Sequence, residues 1–503
     1  MALSQLFRTK SIDELIAASE DPHKSLRKTL GPWSLTALGI GAVIGSGIFT
    51  LTGTAAAGKP IPIKSMLEAT VIDLLLNGSH ATSQLGRPGA GPAITLSFVL
   101  VAIACLFAGL CYAELASMIP VAGSVYTYSY AIMGEIVAWI IGWDLILEYA
   151  VSNMSVAVGF SAYLQDLFDN MFGFHLPPSL AFPPFPAPGG PAGIFNIPAL
   201  IITLLVTWVL VRGVRESASA NTTMVLIKIA AIIIFCVGAA GAINPGNWHP
   251  FAPHGFPGVL TGASIVFFTY IGFDSISTAA EECRKPQRDL PFGIIATLIV
   301  CTLLYCSVSL VLTGIANYKT LGTDSPVADA LKALGYNRLR LIVTAGALMG
   351  MISSLLVYQY GQARIWFAMS RDRLLPKLFS VVHERFRTPY ISTWIAGFVV
   401  GIPAGIWDID TFAELSNIGT LFAFVLVSAG VIVLRKKQPD RPRSFRCPWV
   451  PWLPAFSIVC CVVLMMGLPI RTWIRFFLWL IIGLVIYFAF SRKRSALADG
   501  AKL

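Results

Sequence analysis

Long apolar runs separated by short polar connections follow one another along almost the whole chain of 503 residues. About 20 consecutive apolar residues are enough to cross a bilayer as a helix. The pattern therefore predicts an all-α integral membrane protein with 12 transmembrane helices, the third of them tilted and extended along the interface because its run is so long. The expected spans lie near residues 34–54, 92–118, 126–165, 196–213, 219–242, 258–280, 291–316, 340–369, 390–406, 410–434, 449–468 and 472–490.

The composition agrees with a membrane protein and argues against several other classes. Hydrophobic residues make up 56% of the chain and charged residues 12%, with a mean hydropathy of +0.73, whereas soluble domains have about 25% charged residues. The 9 cysteines include no CxxC pair and the 6 histidines fall in predicted loops or tails. Neither a disulfide framework nor a metal site is therefore expected. The sequence also contains no recognisable nucleophile–base pair or phosphate-binding loop, so an enzyme is not expected.

Lysine and arginine residues are distributed unevenly between the two sides of the predicted membrane domain. An even number of spans puts both termini on one side. The tails and connections on that side hold 26 of these residues and the opposite connections hold 9, while Lys228 falls inside a span. The positive-inside rule therefore places both termini in the cytoplasm. No apolar core follows the first charges of the chain, so no cleaved signal peptide is expected, and the chain is expected in the plasma (inner) membrane. This topology accounts for the net charge of +10 without a nucleic-acid partner.

Three stretches outside the spans have recognisable patterns. In the N-terminal tail, 1–33, the sequence Ser11-Ile12-Asp13-Glu14 resembles a capping box and predicts an amphipathic helix on the membrane surface. The outer connection 58–89 is a long insert in which residues 64–76 predict an amphipathic helix. This helix either caps the outer vestibule or lies on the membrane and neighbouring loops. The outer stretch 177–191 contains 7 prolines and predicts a stiff, extended connector.

The first apolar run is interrupted near its middle by Gly45-Ser46-Gly47. Each glycine costs a helix about 1 kcal/mol relative to alanine, so the helix is weak at this point. Unpaired backbone in a bilayer is tolerated only where it faces protein or a water-filled cavity. A break here would offer N–H and carbonyl groups to a substrate, as in many secondary transporters. Close helix packing through small residues is the alternative explanation.

A second glycine interruption lies in the sixth run, at Gly272, and Asp274 follows it closely. The first and sixth spans begin two successive blocks of five, spans 1–5 in residues 34–242 and spans 6–10 in residues 258–434. Because five is odd, the second block enters the membrane from the opposite side. Glycine-interrupted spans at corresponding positions of two inverted blocks favour a transporter binding site. Spans 11 and 12, in 449–490, and the tail 491–503 lie outside this repeat.

Five sets of polar residues inside the spans carry candidate chemistry, each with an alternative. Lys228 lies roughly 14 Å deep at about 1.5 Å per residue; it either exchanges a proton or permanently supports the carbonyl groups of the broken first helix. Asp274 is either a counter-ion or a cap of the second half of span 6. Glu114 forms either a gate or an interfacial salt bridge. Asp144 and Glu148 share a face turned inward and serve either in packing or gating or in transport. Ser353 and Ser354 either bind sodium or bond the preceding helical turn.

These motifs, in this order, resemble the amino acid–polyamine–organocation superfamily. Within it, the chain is similar to the cationic amino acid transporter branch and especially to bacterial proton-coupled permeases. The resemblance extends from about residue 30 to 490. The motifs are GIGAVIGSGIF (39–49), CYAELASMIPVAGSVYTYSY (111–130), GWDLILEYAVS (142–152), VLIKIAA (225–231), FFTYIGFDSISTAAEE (267–282) and AMSRDRLLP (368–376).

The resemblance implies a leucine-transporter-type fold with a 5+5 inverted repeat and two peripheral helices. It implies that the amides of Gly45-Ser46-Gly47 hold the carboxylate of an amino acid. The ammonium group would bind carbonyl groups near the residues that follow: Val43, Ser46, Phe268, Thr269 and Ile271. Lys228 matches a lysine that occupies the space of a sodium site in sodium-driven relatives, which favours protons as the coupling ion.

Two features depart from the resemblance. The insert 58–89 has no counterpart in the family's short first outer loop, so no role is inherited for it. Tyr358 borders the expected side-chain pocket, and a bulky uncharged residue there favours a broad or neutral amino acid preference over a strictly cationic one.

The sequence therefore predicts a symporter that imports L-amino acids by alternating access, driven by the proton gradient and without a cofactor. Its partners would be the amino acid and the lipid bilayer, and no particular oligomeric state or accessory subunit is predicted. A sodium-coupled transporter or an exchanger is the alternative within this class. A sensor that binds amino acids without moving them is the alternative from another class, and the short tails argue against it.

Overall fold

The protein is described from a computed structural model, in which α-helices contain most of the chain. Helices dominate because only they pair every backbone group within a single apolar segment. The described residues are 7–13, 15–16, 28, 30–59, 63, 65–78, 86–121, 124–186, 190–212, 218–386, 388–495 and 497.

The longer helices are named here in chain order. They are α1 (Pro32–Val43), α2 (Ser46–Ala57), α3 (Val71–Asn77), α4 (Ile94–Met118), α5 (Ser124–Ile132), α6 (Glu135–Phe172), α7 (Ile197–Val211), α8 (Ala218–Ala240), α9 (Gly255–Val266), α10 (Pro286–Ile315), α11 (Pro326–Ala333), α12 (Asn337–Arg371), α13 (Tyr390–Ala404), α14 (Ile409–Lys437), α15 (Trp452–Met466) and α16 (Ile470–Ile486). Shorter helical segments cover Gly91–Ala93, Pro178–Ala181, Pro245–Trp248, Phe267–Tyr270, Phe273–Glu282, Tyr318–Thr320, Lys377–Ser380, Tyr487–Ser491 and Arg492–Arg494.

Within the described residues, 8 helical segments are long and apolar enough to cross a membrane. The bent pair α1 and α2 makes a ninth, and α7, α13 and α15 are shorter apolar helices. The prediction of an all-helical membrane protein is confirmed, and the number of 12 spans stays a prediction. The single sheet in this part of the chain is a two-stranded antiparallel pair, β1 (Gly58–Lys59) with β2 (Arg87–Pro88).

The centre of the bundle is α6, which packs against α12, α14, α13 and α7. In its most apolar stretch 94% of the residues are buried, against 22% in the last span, which begins with α16. A helix of this length, 38 residues, is about 57 Å long at about 1.5 Å per residue. It therefore extends well beyond a hydrocarbon core of about 30 Å, and the other helices are arranged around it.

The third predicted span differs from the expected single tilted helix. Residues 126–165 are divided between α5 and α6 at Gly134, whose φ of +100° lies in the left-handed region. Glycine reaches this region without steric cost, so the chain turns there. The expectation of one continuous helix over 126–165 is therefore wrong at its start.

The predicted helix in the insert begins later than residue 64. Thr70 caps α3: its side chain accepts a hydrogen bond from the Asp73 amide at 3.0 Å, and the Asp73 carboxylate accepts one from the Thr70 amide at 3.4 Å. This capping box fixes the helix start at Val71, and residues 65–69 form turns instead. Lys64 lies outside the described residues.

Two other predicted stretches are described only in part. The proline-rich stretch 177–191 contains the helical turn Pro178–Ala181, so it is not uniformly extended. The predicted capping box at Ser11 includes Glu14, which lies outside the described residues, whereas residues 12–13 and 15–16 are helical.

The N-terminal segment lies against parts of the chain that are remote in sequence. The Glu135 amide donates to the Arg8 carbonyl oxygen at 3.0 Å. The Lys10 amine lies 2.7 Å from the Asp372 carboxylate, in the connection after α12. This segment therefore joins the start of α6 to the end of α12.

Candidate functional site: two facing helix breaks

The first membrane helix is broken between α1 and α2, which meet at an angle of 47°. The Gly45 amide donates to the Val43 carbonyl oxygen at 3.0 Å, and not to Gly41 as a continuous helix would require. The Gly41 carbonyl is thereby released at the end of α1, and α2 starts at Ser46 with unpaired amides. The predicted break at Gly45-Ser46-Gly47 is confirmed.

The glycines at this break also permit close packing. A Cβ atom at Gly45 would lie 2.9 Å from the Ser354 hydroxyl oxygen, and one at Gly47 would lie 2.9 Å from the Thr269 methyl carbon. Real Cβ atoms do not approach so closely, so both positions require glycine. The two explanations for Gly45-Ser46-Gly47, a broken helix and a small-residue contact, therefore apply together.

The second break follows α9. After the tight turn Phe267–Tyr270, Ile271 is extended and Gly272 has a φ of +114°. A Cβ at Gly272 would lie 3.0 Å from the Cβ of Ala42, in α1. Gly272 thus provides the left-handed turn and the close approach that bring the second break against the first.

Tyr305 of α10 joins the two breaks. Its hydroxyl lies 3.0 Å from the Val43 carbonyl oxygen and 2.8 Å from the Thr269 carbonyl oxygen, and the side chain is fully buried. Both carbonyls belong to the predicted ammonium site. Sequence reasoning missed Tyr305, because one tyrosine in the apolar run 291–316 is indistinguishable from an ordinary core residue.

Lys228 is in α8, and its amine reaches the end of α1, as both interpretations of this residue require. Its amine donates to the Gly41 carbonyl oxygen at 2.6 Å and to the Ile44 carbonyl oxygen at 2.9 Å, and the residue is fully buried. The Ser354 hydroxyl donates to the same group of carbonyls and lies 3.2 Å from the Gly41 carbonyl oxygen. The amine thus occupies the negative end of a helix, where a cation is stabilised.

Two other predicted site residues border the second break. The Tyr358 hydroxyl donates to the Ile271 carbonyl oxygen at 2.9 Å, and its ring meets the edge of Tyr149 at 6.0 Å between centroids. Phe268 is buried with its ring against Gly47. Three of the carbonyls predicted to bind ammonium, those of Val43, Thr269 and Ile271, therefore accept tyrosine hydroxyl groups in this structure.

Ser46 differs from these residues because its side chain is unpaired. Its hydroxyl is buried and has no hydrogen-bond partner among the described residues. Gly159 of α6 packs directly on its Cβ. The first turn of α2 therefore presents a buried hydroxyl, together with the positive end of a helix, without a protein acceptor for that hydroxyl.

Asp274 lies in the first turn of Phe273–Glu282 and is 2% exposed. A carboxylate at this position stabilises the N–H groups at the start of the segment, which favours the capping interpretation. Asp144 and Glu148 are both buried, as predicted for a face turned inward, and Asp144 lies against Gly419 of α14.

Glu114 lies at a distance from the breaks, near the end of α4. Its carboxylate makes a bidentate pair with Arg435, at 2.8 Å for both bonds, and also accepts from Arg443 and from the Cys447 amide. It joins α4 to the end of α14 and the connection that follows. This arrangement fits the salt-bridge interpretation of Glu114.

Comparisons with known proteins identify the family. The family model described as amino acid permease matches residues 30–488. The chain is 47% identical to the branched-chain amino acid permease BcaP of Bacillus subtilis (strain 168), over 98% of the chain and 99% of that protein. It is 45% identical to the methylthioribose transporter of the same organism, over 98% of the chain and 100% of that protein. It is also 35% identical to cationic amino acid transporter 9, chloroplastic, of Arabidopsis thaliana, over 87% of the chain and 72% of that protein.

These relatives are transporters and not enzymes, and they match the chain across both helix breaks. The resemblance found from the sequence motifs is confirmed. The chain belongs to the amino acid permease family, within the amino acid–polyamine–organocation superfamily.

Proposed function

We propose that this amino acid permease imports neutral L-amino acids together with protons, by alternating access and without a bound cofactor. The observation that carries the proposal is the position of the Lys228 amine, 2.6 Å from the Gly41 carbonyl oxygen and 2.9 Å from that of Ile44. These carbonyls are at the break where the substrate is expected to bind. A change of charge on the amine is thus felt directly by the helix that encloses the substrate.

Proton coupling follows from the electrostatics of this contact. The protonated amine is attracted by the negative end of α1, and the neutral amine loses most of that attraction. A buried cation is otherwise costly, so the amine holds a proton most favourably when α1 is seated on it. Protonation therefore favours the closed arrangement of α1, and loss of the proton to the cytoplasm releases it.

The charged ends of the substrate match the two kinds of backbone group at the breaks. The amides and hydroxyl at the start of α2 suit a carboxylate, because helix N-termini attract anions. The carbonyls of Val43, Thr269 and Ile271 suit an ammonium group. Since tyrosine hydroxyls bond these carbonyls here, the ammonium would replace Tyr305 and Tyr358 when it binds.

The residues beside the second break favour a substrate with a neutral side chain. Tyr358 and Phe268 are buried and uncharged, and neither offers a partner for a second positive charge. A relative with 47% identity is a branched-chain amino acid permease. Leucine, isoleucine and valine are therefore the first solutes to test.

The proposed architecture has 12 spans, formed by the 9 long or bent candidates and the 3 shorter apolar helices. The two breaks begin two five-span blocks, which supports an inverted repeat, with α15 and α16 peripheral. Both termini would be cytoplasmic, because the connections on that side hold most of the basic residues.

Uptake by purified protein in liposomes tests the proposal. With an acidic exterior, we expect leucine to accumulate in the absence of sodium, and Lys228→Ala to abolish the effect of the pH gradient. Lys332→Ala is the control, because Lys332 is half exposed and pairs with Asp169 far from the breaks. Leucine accumulation that requires sodium would contradict proton coupling, and normal pH-driven uptake by Lys228→Ala would leave the amine a structural support only.

The same liposomes separate the other candidates. Leucine binding without uptake would indicate a sensor, and uptake only against internal leucine would indicate an exchanger. Methylthioribose, for which a relative with 45% identity is named, carries neither a carboxylate nor an ammonium group. Efficient competition by methylthioribose would contradict recognition of the charged ends.

A further inference from the structure

The insert 58–89 starts and ends at the same point of the fold, beside the end of α2. In the pair β1 and β2, Gly58 lies opposite Pro88 and Lys59 lies opposite Arg87. The Ala90 amide donates to the Ala55 carbonyl oxygen at 3.0 Å. The end of the insert is therefore bonded to the second half of the first broken helix.

The same short stretch also lies on the first half of the second broken helix. The Gly89 carbonyl oxygen is 2.9 Å from His254 Nδ1, at the start of α9, and a Cβ at Gly258 would lie 2.6 Å from that oxygen. Residues 87–91 thus contact both α2 and α9. In the proposed topology these are the outer halves of the two broken helices.

Arg87 attaches this stretch to the scaffold. Its guanidinium is 6% exposed and lies 2.8 Å from the Glu414 carboxylate, on α14. Glu414 is itself 5% exposed and also accepts from the Thr472 hydroxyl at 3.1 Å. Since α14 packs along the central helix α6, the ion pair joins the outer halves of the broken helices to the fixed part of the bundle.

A small cavity lies beside this ion pair. It is lined by Leu51 of α2, Ile265 of α9 and, on α14, Asp410, Ala413, Glu414 and Asn417. Leu51 is one helical turn outward from Gly47, and Ile265 is about one turn outward from Phe268. In the proposed topology the cavity therefore lies on the outer side of both breaks, next to the ion pair. The Asn417 amide donates to the Ser264 carbonyl oxygen at 2.8 Å and closes it on the α9 side.

A second described part of the insert, residues 67–69, is bonded to α16. The Arg471 amide donates to the Leu67 carbonyl oxygen at 2.9 Å, and the Ile470 amide donates to that of Ala69 at 3.0 Å. These bonds fasten the insert to the start of α16. The described residues of the insert thus contact both α16 and α2, and α16 itself contacts Glu414 through Thr472 and through Arg471, whose guanidinium lies 3.5 Å from that carboxylate.

We propose that Arg87 and Glu414 form the outer gate of the transport route, and that residues 86–91, at the end of the insert, carry Arg87 to it. Opening toward the outside requires α2 and α9 to move away from α14, which separates this pair. The proposal rests on the proposed function, because it uses the proposed topology and substrate route. It assigns to the insert a role in transport that the family resemblance does not supply.

Accessibility of the cavity from outside tests the gate. In a background with Ala413→Cys, which places a thiol in the cavity lining, a membrane-impermeant maleimide is added to sealed vesicles of known orientation. The native protein, which has 9 cysteines, is labelled in parallel to measure the background rate. We expect Arg87→Gln to raise the rate of labelling from outside by at least about tenfold, and an excess of leucine to reduce it.

Arg340→Gln is the matched control. Arg340 forms a comparably buried pair with Asp166, joining α12 to α6 away from the cavity, so its loss should leave the labelling rate unchanged. The double variant Arg87→Gln/Glu414→Gln also removes the second ion pair of Glu414, with Arg471 at 3.5 Å, and should keep the high labelling rate.

An unchanged rate of labelling from outside, in both Arg87→Gln and the double variant, would overturn the gate. Thermal unfolding verifies that both variants are folded. Labelling that increases only from the cytoplasmic side would overturn the gate as well. Labelling requires no transport, so this result is independent of uptake. A protein that labels as expected but takes up no amino acid would overturn the proposed function and leave the gate in place.

Discussion

Removal of a single oxygen atom, in Tyr305→Phe, should strengthen substrate binding. The Tyr305 hydroxyl lies 3.0 Å from the Val43 carbonyl oxygen and 2.8 Å from the Thr269 carbonyl oxygen. Both carbonyls are proposed to bind the ammonium group, so substrate and hydroxyl compete for them. Phenylalanine keeps the buried ring and removes only the competitor.

The size of the effect follows from the number of bonds lost. A hydroxyl has one proton and donates fully to one carbonyl at a time, and a net hydrogen bond contributes about 1 kcal/mol. Tyr305→Phe should therefore destabilise the substrate-free protein by about 1 kcal/mol and leave the bound state almost unchanged. A difference of about 1 kcal/mol corresponds to a roughly fivefold decrease in the Kd for leucine.

Leucine binding to protein in lipid nanodiscs measures this Kd by calorimetry, and thermal unfolding with and without leucine measures the stability. Tyr270→Phe is the control, because its hydroxyl bonds the Phe98 carbonyl oxygen at 3.1 Å, outside the proposed substrate site. It should lower the stability in both states and leave the Kd unchanged. A higher Kd for Tyr305→Phe, with the same stability as the native protein without leucine, would refute the competition.

Three other substitutions test separate parts of the structure. Gly272→Ala places a Cβ at a φ of +114° and should cost about 2 kcal/mol of stability. Leucine uptake should fall as well, and unchanged uptake would contradict the role of the second break. Glu114→Gln leaves Arg435 without its charge partner and should cost about 3 kcal/mol, measured by thermal unfolding against an exposed control, Glu384→Gln. Thr70→Ala removes the cap of α3 and should cost about 1 kcal/mol, seen as faster hydrogen exchange within Val71–Asn77 only; exchange at the native rate would contradict the cap.

The features that sequence patterns predicted correctly are those encoded locally. The break at Gly45-Ser46-Gly47 was predictable because two glycines weaken any helix at that point, whatever surrounds it. The position of Lys228 was predictable because an isolated charge deep in an apolar run must find partners, and exposed helix-end carbonyls were available. The start of α3 is also encoded locally, by Thr70 and Asp73, although the amphipathic pattern of residues 64–76 predicts an earlier start.

The features that sequence patterns missed depend on contacts between remote segments. Tyr305 bonds two carbonyls from separate helix breaks, and any residue type could have supplied those carbonyls. Arg87 is one basic residue in the insert 58–89, and its partner Glu414 is 327 positions later. Nothing in either local sequence identifies such a pair, because its importance comes from burial and position alone.

The contacts of the N-terminal segment have a consequence for the order in which the protein folds. Arg8 and Lys10 are synthesised first, but their partners Glu135 and Asp372 leave the ribosome only after about 130 and 360 further residues. The segment therefore cannot dock while most helices are still inserting, and it reaches both partners only when α12 is complete. Its docking is thus one of the last steps of assembly, and a chemical cross-link between residues 10 and 372 would report molecules whose membrane insertion has reached that stage.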